Sequence, residues 1–198
     1  MNTNMYLLSI IPNQQTRLLL QDLRHSLYQV CGIASALALE PFIPVTILNH
    51  KPQKDKVMRL LTPSDSERIA PPVVTLGSAA VCEGHIFIDI VEAGTVQQIR
   101  ERTSPLHADE AEPSGPFPPY PGLFIASTEG RNEAEVLDYL LAELSRRSSV
   151  DRDRGAGIQW KSSRIGLYSL SFRSDSETWW DGVQWAIEWQ FPFRKWIT

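Results

Sequence analysis

Apolar and polar positions along the chain fall into short apolar runs and longer polar stretches with helical spacing, in a similar order twice over. Met5–Ile11 is an apolar run closed by Pro12, the pattern of a short buried strand. Asn13 stands where a helix cap belongs, and Gly32 supplies a stop signal. Between them Leu19, Leu23, Leu27 and Val30 recur at helical spacing, with Arg17, Asp22 and Arg24 off that stripe. Ala36–Leu39 and Val45–Leu48 read as strands divided by the Pro41 and Pro44 region. Residues 49–72 form a polar, proline-containing connection with a helical turn around Lys56–Leu61. Val73–Val81 and His85–Val91 flank Cys82-Glu83-Gly84, which predicts a β-hairpin, and Thr95–Arg102 predicts a helix.

The second half begins with residues 104–121, a segment holding six prolines at 105, 113, 116, 118, 119 and 121. That density removes backbone donors and rules out a continuous helix or central strand, so the segment reads as a loop. Leu123–Ser127 is a strand, and Asn132 caps a helix to about Arg147 with Leu137, Leu140, Leu141 and Leu144 as its stripe. Residues 148–157 are charged and exposed by composition. Three strands follow: Ile158–Lys161, Ile165–Phe172 and Val183–Phe193. In the last, Val183, Trp185, Ile187, Trp189 and Phe191 are predicted to face one way, with Gln184, Glu188 and Gln190 opposite.

Composition narrows the class. With 198 residues, 42% hydrophobic and 21% charged, the chain suffices for a substantial globular core. A net charge of −4 argues against a general nucleic-acid binder, which carries a basic excess. Cys31 and Cys82 make no disulfide framework and no zinc-site spacing, and read as small buried hydrophobes in a reducing compartment. No basic segment followed by a long apolar stretch opens the chain, and Met5–Ile11 is too short to span a bilayer. A cytoplasmic monomer without metal, cofactor or membrane association is the expectation.

Two short strands carry the sharpest information: Pro41-Phe-Ile-Pro-Val-Thr-Ile-Leu48 and Tyr120-Pro-Gly-Leu-Phe-Ile-Ala126. With their surroundings they resemble the 2H phosphoesterase superfamily, in particular its bacterial RNA 2′,3′-cyclic phosphodiesterases and 2′-5′ RNA ligases. The resemblance runs over nearly the whole chain and extends to Arg164–Ser171 and the Trp-rich strand, which look like the family's closing hairpin. It implies an α+β fold: one domain over 1–198, built of two intertwined, pseudo-symmetric lobes whose antiparallel sheets face a central cleft, with helices outside. It also implies that the family's His-x-Thr/Ser-x motifs fall at Pro44-Val-Thr-Ile47 and Gly122-Leu-Phe-Ile125.

In the family the two motif histidines act as general base and general acid, and the hydroxyls bind phosphoryl oxygens. Imidazole suits both roles because it titrates near neutrality. Here Pro44 and Gly122 offer no exchangeable side-chain proton, Phe124 replaces a hydroxyl, and Thr46 alone of the four polar groups is kept. Strand alternation predicts that Pro44 shares a face with Thr46, and Gly122 with Phe124. Losing a general acid or base costs ~10²–10⁴-fold each. The expectation is therefore a degenerate, noncatalytic 2H-like module with a cleft lined by Pro44, Thr46, Tyr120, Gly122, Phe124 and Tyr168. That cleft would bind a nucleotide-like small ligand or a protein partner; blocked, it would leave a structural or protein-interaction role. The alternative is an active metal-independent phosphodiesterase on RNA 2′,3′-cyclic phosphate ends or cyclic nucleotides, which requires His85 or His50 to reach the cleft. His25 and His107 read as solvated, and Trp179 and Trp180 as the freest of the six tryptophans. No phosphate-binding Gly-rich loop is present.

Overall fold

In a computed structural model, the structure describes residues 2–61, 71–91, 94–106, 122–150, 158–162, 164–173 and 178–193. The elements run β1 (Asn2–Ile11), α1 (Gln14–Cys31), β2 (Ile43–Leu48), α2 (Lys54–Leu61), β3 (Val73–Cys82) and β4 (His85–Val91). They continue through α3 (Gly94–Thr103), β5 (Leu123–Ser127), α4 (Glu133–Val150), β6 (Gln159–Lys161), β7 (Arg164–Arg173) and β8 (Gln184–Pro192). Two four-stranded antiparallel sheets result, sheet A in the order β2-β1-β7-β8 and sheet B in the order β5-β4-β3-β6. Sheet A therefore pairs the first two strands with the last two, and sheet B is built from the middle of the chain. None of the described helices is long and apolar enough to cross a membrane.

Local chemistry explains the boundaries. Asn13 Oδ1 accepts from Thr16 N at 2.9 Å, and Gly32 takes φ 69° as its N–H donates to Tyr28 O, which closes α1 at both ends. Glu83 and Gly84 both have positive φ, 50° and 72°, the two-residue turn whose twist suits a tight hairpin. Asn132 Oδ1 accepts from Ala134 N at the start of α4.

Three expectations are corrected. Ala34–Leu37 is a 3₁₀ turn rather than strand; its Ser35 is tied to β5, and that cross-chain anchor overrides local β-propensity. The buried stripe of α1 is Thr16, Leu20, Leu23, Arg24 and Leu27, so Arg24 lies on it while Val30 is exposed. In β8 the alternation breaks. A bulge shifts the register between Leu167 and Tyr168 of the neighbouring strand, so Trp185 and Ile187 pair with Leu170 and Tyr168, but Trp189 and Phe191 with Leu167 and Ile165. One extra residue switches the face of everything beyond it. Trp185 and Val183 consequently pack with one apolar cluster, Trp189 and Phe191 with another.

Those clusters divide the molecule. The larger holds the buried apolar residues of all four helices together with one face of each sheet, for instance Leu8, Ile10, Leu23, Ile86, Ile125, Leu140 and Leu167. The smaller joins the other faces of the sheets and contains no buried residue of α1, α2, α3 or α4: Met5, Leu7, Ile11, Leu39, Phe42, Phe87, Phe124, Tyr168 and Leu170. It occupies the space between the sheets.

Candidate functional site

The strands β2 and β5 lie at the edges of their sheets and meet there. Phe42 and Phe124 form an isolated antiparallel bridge, with Phe124 N donating to Phe42 O at 3.2 Å. Two residues on along β2 and two residues back along the second strand stand Pro44 and Gly122, both buried, so the two sequence-predicted positions take equivalent places about the bridge. Arg100 of α3 donates from Nη2 to Pro44 O at 2.6 Å. The outer edge of β2 is thus occupied by a backbone amide and a guanidinium, a means of covering an edge strand. Burial lowers the Arg100 pKa from its ordinary value.

Pro44 and Thr46 do not share a face as simple alternation predicts. The register shifts between Leu8 and Ser9, so that Thr46 pairs with Leu8 and Pro44 with Ser9. Leu8 belongs to the helix-covered core and its neighbour Leu7 to the inter-sheet cluster, so consecutive residues of β1 face opposite ways. Tyr120, expected in the same site, lies outside the described residues, as do His107 and most of the proline-rich segment; residues 104–106 are a 3₁₀ turn.

Among the described residues, rings pack together in the space between the sheets. Phe124 is fully buried and stacks on Phe42 with centroids 5.5 Å apart and planes at 17°. Phe87 meets Phe124 edge-on at 5.7 Å, and Tyr168 lies 6.4 Å from Phe42 and 5.9 Å from Trp185. Such ring pairs contribute ~0.5–1.5 kcal/mol each beyond the burial itself. Tyr168 has a buried hydroxyl with no hydrogen-bond partner among the described residues, and burial first, then Glu40, push its pKa up to about 12. Phe124 and Tyr168, two of the expected ligand-contacting side chains, are buried among these rings.

His85 borders this ring cluster. Its imidazole lies 6.1 Å from Phe124 and stacks at 6.5 Å on Trp179, while Nδ1 is 2.8 Å from Glu83 O. Trp179 in turn donates from Nε1 to Ser127 Oγ at 2.9 Å, so it is tied down rather than free. Among the described residues no second imidazole joins His85. His25 sits on α1 with Nδ1 at Gln21 O, and His50 is exposed in the bend after β2. No group of three or more His, Cys, Asp or Glu side chains that could hold a metal ion occurs among the described residues.

A polar staple fixes one end of the cleft. Ser35 Oγ donates to Ser127 O at 3.1 Å and accepts from Ser127 N at 2.9 Å, and Ser35 N donates to Glu129 Oε1. The segment leading into β2 and the end of β5 are thereby held together by paired, buried hydrogen bonds. Sequence reasoning missed Phe42, Phe87, Ser35, Ser127 and Arg100. Phe42 and Phe87 carried a usable signal, each an aromatic residue two positions from a singled-out residue, Pro44 or His85, on its own strand. Ser35, Ser127 and Arg100 carried none, because their partners are distant in sequence.

No protein-family model and no characterised sequence matches the chain. Solved structures do. TT0787 of Thermus thermophilus superposes with a TM-score of 0.60 at 12% identity, covering 96% of this chain and 98% of that one. E. coli LigT complexed with 3′-AMP gives a TM-score of 0.57 at 11% identity, covering 96% and 98%. The same protein complexed with NADP+ gives 0.52 at 11% identity, covering 96% and 97%. Identity at this level establishes the architecture and leaves the chemistry to the site. With its helices, its two antiparallel sheets and the cleft between them, the chain has the 2H phosphoesterase fold.

Proposed function

We propose that this protein is a noncatalytic binding module on the 2H phosphoesterase fold, acting by association rather than turnover. The observation that carries this is Phe124, fully buried and stacked on Phe42 at the place where the resemblance puts a phosphate-binding hydroxyl. Pro44 and Gly122 have no side chain that could exchange a proton, and an acid and a base absent together remove ~10⁴–10⁸-fold of rate if their separate contributions multiply. The filled space between the sheets favours a protein partner, or a ligand held outside the motif positions, over a nucleotide seated between them. LigT has been crystallised with 3′-AMP and with NADP+. Those ligands define the nucleotide-like class against which binding by this chain should be measured.

His85 supports a second reading, since its imidazole lies against Phe124 on the same face. A one-histidine phosphodiesterase would use it as the sole acid–base group. The deciding experiment is hydrolysis of a 2′,3′-cyclic nucleotide by purified protein and by the His85→Ala variant. The binding-module reading expects no turnover above buffer from either. Saturable turnover that His85→Ala abolishes would replace it with the enzymatic reading.

A further inference from the structure

Arg24 is 2% exposed, and burial lowers its pKa to about 9 although Glu40 partly offsets the effect. Its Nη1 donates to Leu39 O, while Nε and Nη2 have no partner among the described residues. These two nitrogens form one edge of the guanidinium, and their N–H bonds point the same way. That edge is the fork that clasps both oxygens of a carboxylate. A buried cation without a bonded counter-charge is costly, so a matching anion would be bound with a large part of its desolvation already offset.

Arg24 also lines a cavity of about 240 Å³ between α1, the turn before β2, and β8. Ala36, Leu37, Leu39 and Trp185 supply apolar walls, and Gln21, His25 and Glu40 add polar groups. The volume is below the ~300–1,000 Å³ of ordinary ligand pockets, which fits a fragment-sized molecule. Glu40 already pairs with Arg17 at 3.4 Å and brings negative charge to the cavity, which disfavours a dianion such as phosphate. We propose that this cavity binds a small monocarboxylate, its two oxygens on Arg24 Nε and Nη2 and its apolar body against Trp185 and Leu37. Nε and Nη2 are themselves covered, so the cavity reaches this edge only after side chains between them shift; Leu37 is 44% exposed and Trp185 only partly buried. The cavity's lining does not include positions 44, 46, 122 or 124, although it shares Leu39 and Trp185 with the inter-sheet cluster, and the proposal does not depend on whether that cleft is active.

The probes are sodium benzoate and phenylacetate, with inorganic phosphate as the contrasting arm, followed by nuclear magnetic resonance of the Trp185 indole and the Arg24 Nε–H. The expected result is saturable shifts at both groups with either carboxylate, and binding by phosphate at least tenfold weaker. Arg24→Lys keeps the charge but loses the fork, and should weaken benzoate at least tenfold with thermal unfolding as the check on folding. Glu40→Gln removes the competing carboxylate and should tighten benzoate. No shift at Arg24 in the wild-type protein overturns the proposal whatever the variants do. Equal affinity in a folded Arg24→Lys, or preference for phosphate, overturns the carboxylate fork.

Discussion

The two apolar clusters of this molecule face the same sheets from opposite sides and are built differently. The helix-covered core is mostly aliphatic, with leucine, isoleucine and valine from all four helices against the sheets. The inter-sheet cluster gathers Phe42, Phe87, Phe124 and Tyr168, with Trp179 and Trp185 at its margin. Buried polar atoms without partners among the described residues occur on both sides, Tyr168 OH and Ser9 Oγ between the sheets and Trp160 Nε1 and Trp189 Nε1 on the helix-covered side. The difference lies in the side chains: aliphatic residues join helices to sheets, and aromatic rings join sheet to sheet.

The largest test of that contrast is truncation on each side. Phe124→Ala should destabilise the protein by about 3–5 kcal/mol in denaturant unfolding, comparable with the ~2–5 kcal/mol expected for Leu23→Ala in the helix-covered core. A nearly neutral Phe124→Ala would mean that the ring is a ligand contact rather than core. Next in size is Ser35→Ala, which removes both hydrogen bonds to Ser127 and leaves a buried amide and carbonyl unpaired. A loss of about 1–3 kcal/mol is expected by the same measurement.

The smallest effect has the opposite sign. Tyr168→Phe deletes a buried hydroxyl that has no partner among the described residues, and should raise stability by about 1 kcal/mol at neutral pH. The pH dependence follows from the phenol, whose pKa rises from 10.0 to about 12 on folding, chiefly through burial. Its contribution is fully present below pH 10 and is lost as pH rises to about 12, because the unfolded state releases the proton first. The phenylalanine variant should lack that loss, so the gap between the two proteins widens in alkaline unfolding curves.

The sequence made most elements legible because their ends carry local chemistry: Asn13 and Gly32 on α1, Glu83-Gly84 in the hairpin, Asn132 on α4. The fold could be recognised from the order of strands and helices, which does not depend on the motif residues. The bulges were illegible, since a single unpaired residue leaves no mark on an alternating pattern such as Val183–Phe191. Arg24 was misplaced for a related reason: a charged side chain breaks an apolar stripe on paper, yet its guanidinium reaches the Leu39 carbonyl from inside. At the candidate site, Pro44 and Gly122 were readable only as the positions where the resemblance places the motif histidines. That Phe124 stacks on Phe42, and that Ser35 binds Ser127, depended on two sheet edges meeting across a long stretch of intervening chain.

The central claim is that the rings between the sheets are packing and leave no seat for a nucleotide. The most direct measurement is titration of the labelled protein with 3′-AMP, followed through the resonances of Phe124, Tyr168 and Gly122. The predicted result is no saturable change at these three residues. Saturable shifts centred on Phe124 and Gly122 would contradict it, and would show that the cleft opens to receive the ligand class seen with LigT.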